Sequence, residues 1–365
     1  MVRRARRPHN LVGGPAAHHA YSRNASVDLS MPNFRVAQTC LFGLALLAMA
    51  AVLGAFTTSQ YVEHLSFDYL ARGEQLQRHL AILQGHAGNP WQYRVLTAYL
   101  LKLIMQGCEF FGVAQPIVGA FIGFRVFQDS CIMLLAYAYY RRLGLATGQA
   151  LLSMGVLAWS MSYSSHDSDL QFSTFFDVLF YLLAAWCILA ERWVWLMPLT
   201  LLAALNRESS ALIPLLLLGS ALFAMEPGAW RRALPVVLVM LAIYVGVFVG
   251  LRALYGPQEL TVAYGLRPGL ALLRFNLLRS VTWSELAVTL GVVPFAALCS
   301  YRAWPMQLRV FFWVLVPLWL LVHTLGAVLA EARLLLVPQA LVFIPGALCT
   351  VGMAGSARLR RSRAR

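Results

Sequence analysis

Apolar positions along this chain come in long runs separated by short polar ones, with no alternation of period two. Ten runs suit helices crossing a hydrocarbon core about 30 Å thick. They are residues 36–58, 117–140, 147–163, 171–190, 193–205, 208–224, 233–254, 283–299, 308–330 and 334–353. The stretch 193–224 is split because one helix of that length would run about 48 Å at 1.5 Å per residue. Two short helices meeting at "NRESS", residues 206–210, solve the length problem and bring the charges to a membrane surface. The run 95–113 is interrupted by Lys102, Gln106, Gly107 and Glu109, and reads as an interfacial or shallow helix. In the first long polar loop, 59–94, Asp68, Arg72, Gln75 and His79 share one side at helical spacing, opposite Leu70, Leu80 and Leu83. Residues 267–281 predict a second amphipathic segment along the interface. The fold class is therefore all-α and polytopic, with about ten transmembrane helices plus interfacial ones.

Composition agrees. Hydrophobic residues make up 60% and charged ones 12%, with a mean hydropathy of +0.67; a soluble domain carries about 25% charged residues. The net charge of +14 raises nucleic acid as a partner. The arginines, however, lie in tails and short loops, a pattern of topology and not of a nucleic-acid groove, so no nucleic acid is expected. With the N-terminus inside, the inner loops hold Arg141, Arg142, Arg192, Arg231, Arg232, Arg302 and Arg309, and both basic tails are cytoplasmic. The organisation predicted is a disordered basic tail at 1–35, a transmembrane domain at 36–353 and a basic tail at 354–365. The first apolar run is too late and too long for a signal peptide, so it stays as a helix. Six cysteines without CxxC spacing read as small core residues. Lys102, the one lysine against 28 arginines, points to a GC-rich bacterial genome and hence an inner membrane.

Carboxylates concentrate in the outer loops, which suggests a site on the outer, periplasmic face. In the first loop Asp68 is a candidate general base with Glu74 as rival and His79 in support; the plainer alternative is a surface helix with an Asp68–Arg72 pair. "SSHDSDL" carries His166, Asp167 and Asp169, which could hold Mg²⁺ or Mn²⁺ or simply form a solvated turn. At "NRESS", Asn206 is expected to cap a helix starting at Arg207, with Glu208 in its first turn. A helix start beside a guanidinium suits phosphate, and Arg94, Arg267, Arg274 and Arg333 gather on the same face; the alternative is a capped turn whose arginine pairs with its own glutamate. Arg125 and Asp129, one turn apart in the second span, read as a mutually neutralising pair.

The order of these features resembles the GT-C glycosyltransferases, integral-membrane enzymes with a mannosyltransferase-like fold. The likeness lies in the first outer loop ending "LQGHAGNPWQYRVLTAYL", the helix end "YYRRLG", the helix pair "WVWLMPLTLLAALNRESSALIPLL" and the late helix start "EARLLLVPQALVFIPGAL", and it covers residues 36–353. Tyr69 follows Asp68, so the paired acidic residues of some members are not matched. The resemblance implies inverting transfer of a sugar from a polyprenyl-phosphate donor to a lipid or glycan acceptor, among membrane lipids of the cell envelope. Asp68 or Glu74 would be the base, Arg207, Arg333 and Arg94 would hold the donor phosphate, and Asn206, Glu208 and His79 would support them. Against it stand a secondary transporter or lipid flippase, which often shows internal repeats not found here, and a non-catalytic relative.

Overall fold

The computed structural model describes residues 32–165, 170–262 and 264–349. The expectations made for the two basic tails and for His166, Asp167 and Asp169 therefore lie outside the described residues. Contacts divide the chain into Met1–Gly43, described only for the first turns of α1, and Leu44–Arg365, which holds the features below.

Among the described residues the structure is helical, with an isolated bridge between Asn89 and Leu260 and no strand. Six helices are long and apolar enough to cross a membrane: α1 (Pro32–Leu65), α5 (Pro116–Arg142), α7 (Phe172–Leu189), α10 (Ala229–Tyr255), α14 (Met306–Gly326) and α15 (Ala332–Cys349). A seventh span arises if α12 (Ser280–Leu290) and α13 (Val293–Cys299), bent by 68°, count as one. The chain is thus a multi-pass membrane protein, but the ten expected spans are not all of spanning length. Runs 147–163, 193–205 and 208–224 form α6 (Thr147–Ser162), α8 (Leu196–Asn206) and α9 (Leu212–Phe223), of 16, 11 and 12 residues. Apolarity predicted each helix; it could not say how far each one runs.

The helix boundaries follow local chemistry. Pro116 opens α5, where its missing N–H costs nothing, and Arg141 and Arg142 sit in the last turn against the negative end of the dipole. Gly54 on α1 has no room for a side chain: a Cβ there would lie 2.5 Å from Ser130 Oγ and 2.8 Å from the Val126 carbonyl of α5. Small residues allow such close helix approach in a bilayer. Helices α7 and α15 are mostly buried, whereas α1 and α10 turn residues such as Leu44, Val52, Leu238 and Val249 outward, as lipid-facing helices do. Within α15 the backbone widens to a π turn at Gln339–Phe343, and the Tyr139 and Tyr140 hydroxyls donate to the carbonyls of Leu341 and Ala340 at 2.8 and 2.9 Å.

The first loop folds as α2 (Phe67–Ala71), α3 (Glu74–Leu83) and the amphipathic α4 (Val95–Phe110). One side of α4 buries Val95, Ala98, Leu101 and Met105, while Leu103 and Phe110 face outward. Arg94, just before α4, meets Glu208, and the chain after α4 returns beside α2, where Gln115 and Pro116 share a hollow with Asp68. Helix α4, of 16 residues, is not among the span-length helices. The predicted face of the loop helix is corrected. The helix breaks at Arg72–Gly73, Gln75 and His79 turn inward with Ile82, and Leu80 is exposed. Asp68 and Arg72 are left exposed on the other side of the break.

Candidate functional site

Helix α8 stops at Asn206, Arg207 is extended (φ −158°, ψ 153°), and a short 3₁₀ turn at Glu208–Ala211 leads into α9. Asn206 does not cap the following helix. Its Nδ2 donates to the Ser173 carbonyl at 2.8 Å and to Asp177 Oδ1 at 2.9 Å, while its Oδ1 accepts from Thr97 Oγ1 at 3.4 Å. Arg207 Nη1 lies 3.3 Å from Asp177 Oδ2 and donates to Thr174 Oγ1 at 3.2 Å, and Ser209 Oγ donates to the same carboxylate at 2.8 Å. One acid of α7 therefore fixes three residues of the break, Asn206, Arg207 and Ser209. Arg207, expected at the surface, is 6% exposed. Its ion-pair partner is Asp177, not its own neighbour Glu208.

A recess of about 280 Å³ opens against this break. Arg94, Arg207 and Glu208 form its charged wall, and Leu212, Trp319 and Val322 of α9 and α14 form an apolar one. Glu208 Oε2 is 3.4 Å from Arg94 Nη2, its Oε1 is 3.9 Å from Arg252 Nη2, and its backbone carbonyl accepts from Tyr244 OH at 3.2 Å. Tyr244 lies 11 residues before the end of α10 at Tyr255 and Arg252 three before it, and the recess also reaches Gly326 and Ala327 at the end of α14. Burial, followed by the nearby charge of Arg207, pulls the Arg94 guanidinium down to about 10, which still leaves it charged at neutral pH. His323 also lines the space. Its Nδ1 donates to the Trp319 carbonyl at 2.8 Å, which leaves Nε2 as the acceptor.

The expected gathering of the loops is met in part, as a convergence at one end of the bundle. Leu170 N donates to Gln75 Oε1 at 2.8 Å and Arg94 reaches Glu208, so the first loop, the chain before α7 and the α8–α9 break converge at one end. Arg94 and Arg207 come together with Glu208 and Asn206, but the other candidates do not join them. Asp68 borders a separate hollow of about 250 Å³ with Arg72, and Glu74, the first residue of α3, borders a third space. His79 is buried edge-on against Phe121, and that burial lowers its pKa. Arg333, expected at the surface, is 2% exposed with Nη2 2.6 Å from Glu331 Oε2, and it does not line the recess. Arg267 and Arg274 are exposed elsewhere. Among the described residues no group of three or more His, Cys, Asp or Glu side chains is placed to hold a metal ion.

Sequence reasoning missed Asp177, Thr174, Thr97, Tyr244, Arg252 and His323. For Asp177 the signal was present: a lone acid in the apolar "FSTFFDVLFYLL" needs a partner. The Arg125–Asp129 reading fits the structure. Arg125 Nε is 3.1 Å from Asp129 Oδ2, both side chains are fully buried, and Thr57 Oγ1 donates to the same oxygen at 2.8 Å. Comparison of the chain with protein-family models, curated proteins and solved structures finds no match.

Proposed function

We propose that the protein is an integral-membrane glycosyltransferase that uses a polyprenyl-phosphate sugar, with the recess as its donor site on the outer face. One observation carries this reading: Arg94 and Arg207 converge at the head of a space whose opposite wall is apolar. An anionic head joined to a hydrocarbon tail matches that pairing, with the guanidiniums on the phosphate and the tail leaving past Leu212 and Val322. Asp177 holds Arg207 in position and leaves Arg94 as the more adaptable cation, now shared with Glu208.

In this reading Glu208 takes the base role first expected of Asp68 or Glu74, because its carboxylate borders the same space as the phosphate cations. As the acceptor hydroxyl attacks the anomeric carbon, Glu208 removes its proton. The bond from that carbon to the phosphate oxygen breaks, and the electron pair leaves with the polyprenyl phosphate. Negative charge grows on the phosphate beside fixed guanidiniums, where it is stabilised most. One displacement inverts the anomeric centre.

The test is transfer of label from a radiolabelled polyprenyl-phosphate sugar by protein reconstituted in lipid. Wild type is expected to transfer, Glu208→Gln to lose about 100-fold or more, and Asp68→Asn to remain active. Absence of polyprenyl-phosphate binding in the wild type would sink the proposal. A flippase is the second reading, favoured by the discontinuous α8–α9 pair and the bent α12–α13 pair, since broken helices recur in transporters. It predicts labelled lipid that crosses the bilayer chemically unchanged.

A further inference from the structure

The first loop borders another space besides the recess. A groove of about 440 Å³ lies on the far side of α3, lined by Glu74, Gln77, Arg78, His86, Trp91 and Thr261. A small pocket of about 50 Å³ adjoins both. It shares Arg78 and Trp91 with the groove and Arg94 with the recess. The three spaces are thus strung along one line of side chains. Arg78 and Arg94 each stack on the Trp91 ring, 4.8 and 4.9 Å from its centroid, so one indole binds both cations.

The groove is a built feature. Its rim joins the first loop to the segment after α10: Asn89 N donates to the Glu259 carbonyl at 2.8 Å, and Thr261 N donates to the Asn89 carbonyl at 2.9 Å. A Cβ on Gly88 would lie 2.5 Å from Thr261 Oγ1, so the two segments meet as closely as glycine permits. Glu74, Gln77, His86 and Thr261 are exposed. A carboxylate accepts hydrogen bonds, a guanidinium donates them, and an amide, an imidazole and a hydroxyl do both. Such a set matches a ligand with many hydroxyls, and the volume falls within the range of small-ligand sites, about 300–1,000 Å³.

We propose that this groove is the acceptor site and that the acceptor is a water-soluble glycan arriving from the solvent side, not a lipid arriving through the bilayer. This rests on the glycosyltransferase reading above. The acceptor's reacting hydroxyl is directed past Arg78, Trp91 and Arg94 toward Glu208, while the donor tail occupies the apolar side of the recess. Groove residues then govern acceptor affinity and leave donor binding alone.

The experiment uses the full chain in lipid nanodiscs with a labelled polyprenyl-phosphate sugar and three acceptor panels: methyl glycosides, trisaccharides and octyl glycosides. Soluble trisaccharides are expected to accept label. Gln77→Ala and the groove-filling Thr261→Trp are expected to raise the trisaccharide KM about tenfold, with kcat and polyprenyl-phosphate affinity within twofold of wild type. Gln77 is exposed, so its variant keeps the test alive where Thr261→Trp fails to fold. Unchanged KM in Gln77→Ala and in any folded Thr261→Trp, or label passing only to octyl glycosides or to none of the panel while the donor binds, overturns the groove assignment and spares the donor site. A wild type that does not bind polyprenyl phosphate overturns both.

Discussion

Two arginine–aspartate pairs lie buried in this bundle, and their difference separates structure from chemistry. Arg125 and Asp129 belong to one helix, a turn apart, with both side chains fully enclosed. The guanidinium also covers the Phe175 ring 3.1 Å from its centroid and donates to the Leu170 carbonyl at 2.6 Å. Arg207 and Asp177 come from different elements, are held by Asn206, Ser209 and Thr174, and Arg207 faces a cavity. The first pair has no space in which to meet a ligand. The second holds one cation at the wall of such a space. Burial of an ion pair is therefore not a sign of function; access to a cavity is the discriminating feature.

The largest effect is expected from breaking the sealed pair. Asp129→Ala strands Arg125 in a fully buried site, which should cost about 3–5 kcal/mol of stability. Equilibrium unfolding in bicelles measures this, while the remaining folded fraction should bind polyprenyl phosphate with wild-type affinity. A change in that affinity would contradict the separation.

Arg207→Lys is the sharper test of the second pair. It keeps the charge but replaces the guanidinium, whose Nη1 serves both Asp177 and Thr174, with a shorter and more strongly hydrated ammonium. Stability should fall by about 1–2 kcal/mol and polyprenyl-phosphate affinity about tenfold, whereas Arg125→Lys should lower stability alone. Equal affinities in the two lysine variants would mean that the Arg207 pair is only another strut.

Arg94→Ala should do the reverse of Asp129→Ala, lowering phosphate affinity about tenfold while costing only about 1 kcal/mol of stability. Its side chain is 12% exposed and its partner Glu208 is 29% exposed with Arg252 nearby, so the glutamate keeps water and a second cation. Isothermal titration with a short-chain polyprenyl phosphate, beside the unfolding curve, reads both quantities.

The smallest expected effect is a pH dependence in the first loop. Burial holds the His79 pKa below its ordinary value, so the folded state resists a proton that the unfolded chain accepts below about 6.5. Stability should be unaffected above that pH and should decline as the pH falls from it toward the lowered folded-state value. His79→Gln should flatten this acid limb, measured as thermal midpoint from pH 7.5 to 5. A limb of equal slope in both proteins would remove His79 as its cause.

The sequence made the helices legible because burying an apolar run requires only composition, and the break at "NRESS" followed from length alone. The partner of Arg207 was not legible. Asp177 lies 30 positions earlier, and only packing of α7 against α8 brings the two together. The same limit applied to the first loop. Helical spacing grouped Asp68 with His79, but Gly73 leaves no room for a Cβ, which would lie 2.7 Å from the Tyr69 carbonyl, and the break there turns the two residues apart. Arg94 was named for its face and proved correctly grouped with Arg207, since "NPWQYR" returns the chain directly over the break.

The shortness of α9 has an electrical consequence. A 280 Å³ space walled by two arginines and a glutamate is roomy and polar enough for water, and α9 starts at its wall with Leu212. Twelve residues span about 18 Å, against about 30 Å for an undisturbed bilayer core. Each full charge crossing the whole membrane exchanges about 2.3 kcal/mol per 100 mV, so an anion settling on Arg207 exchanges part of that. Under the donor-site proposal, occupancy of the recess by a phosphate should respond to voltage as well as to concentration.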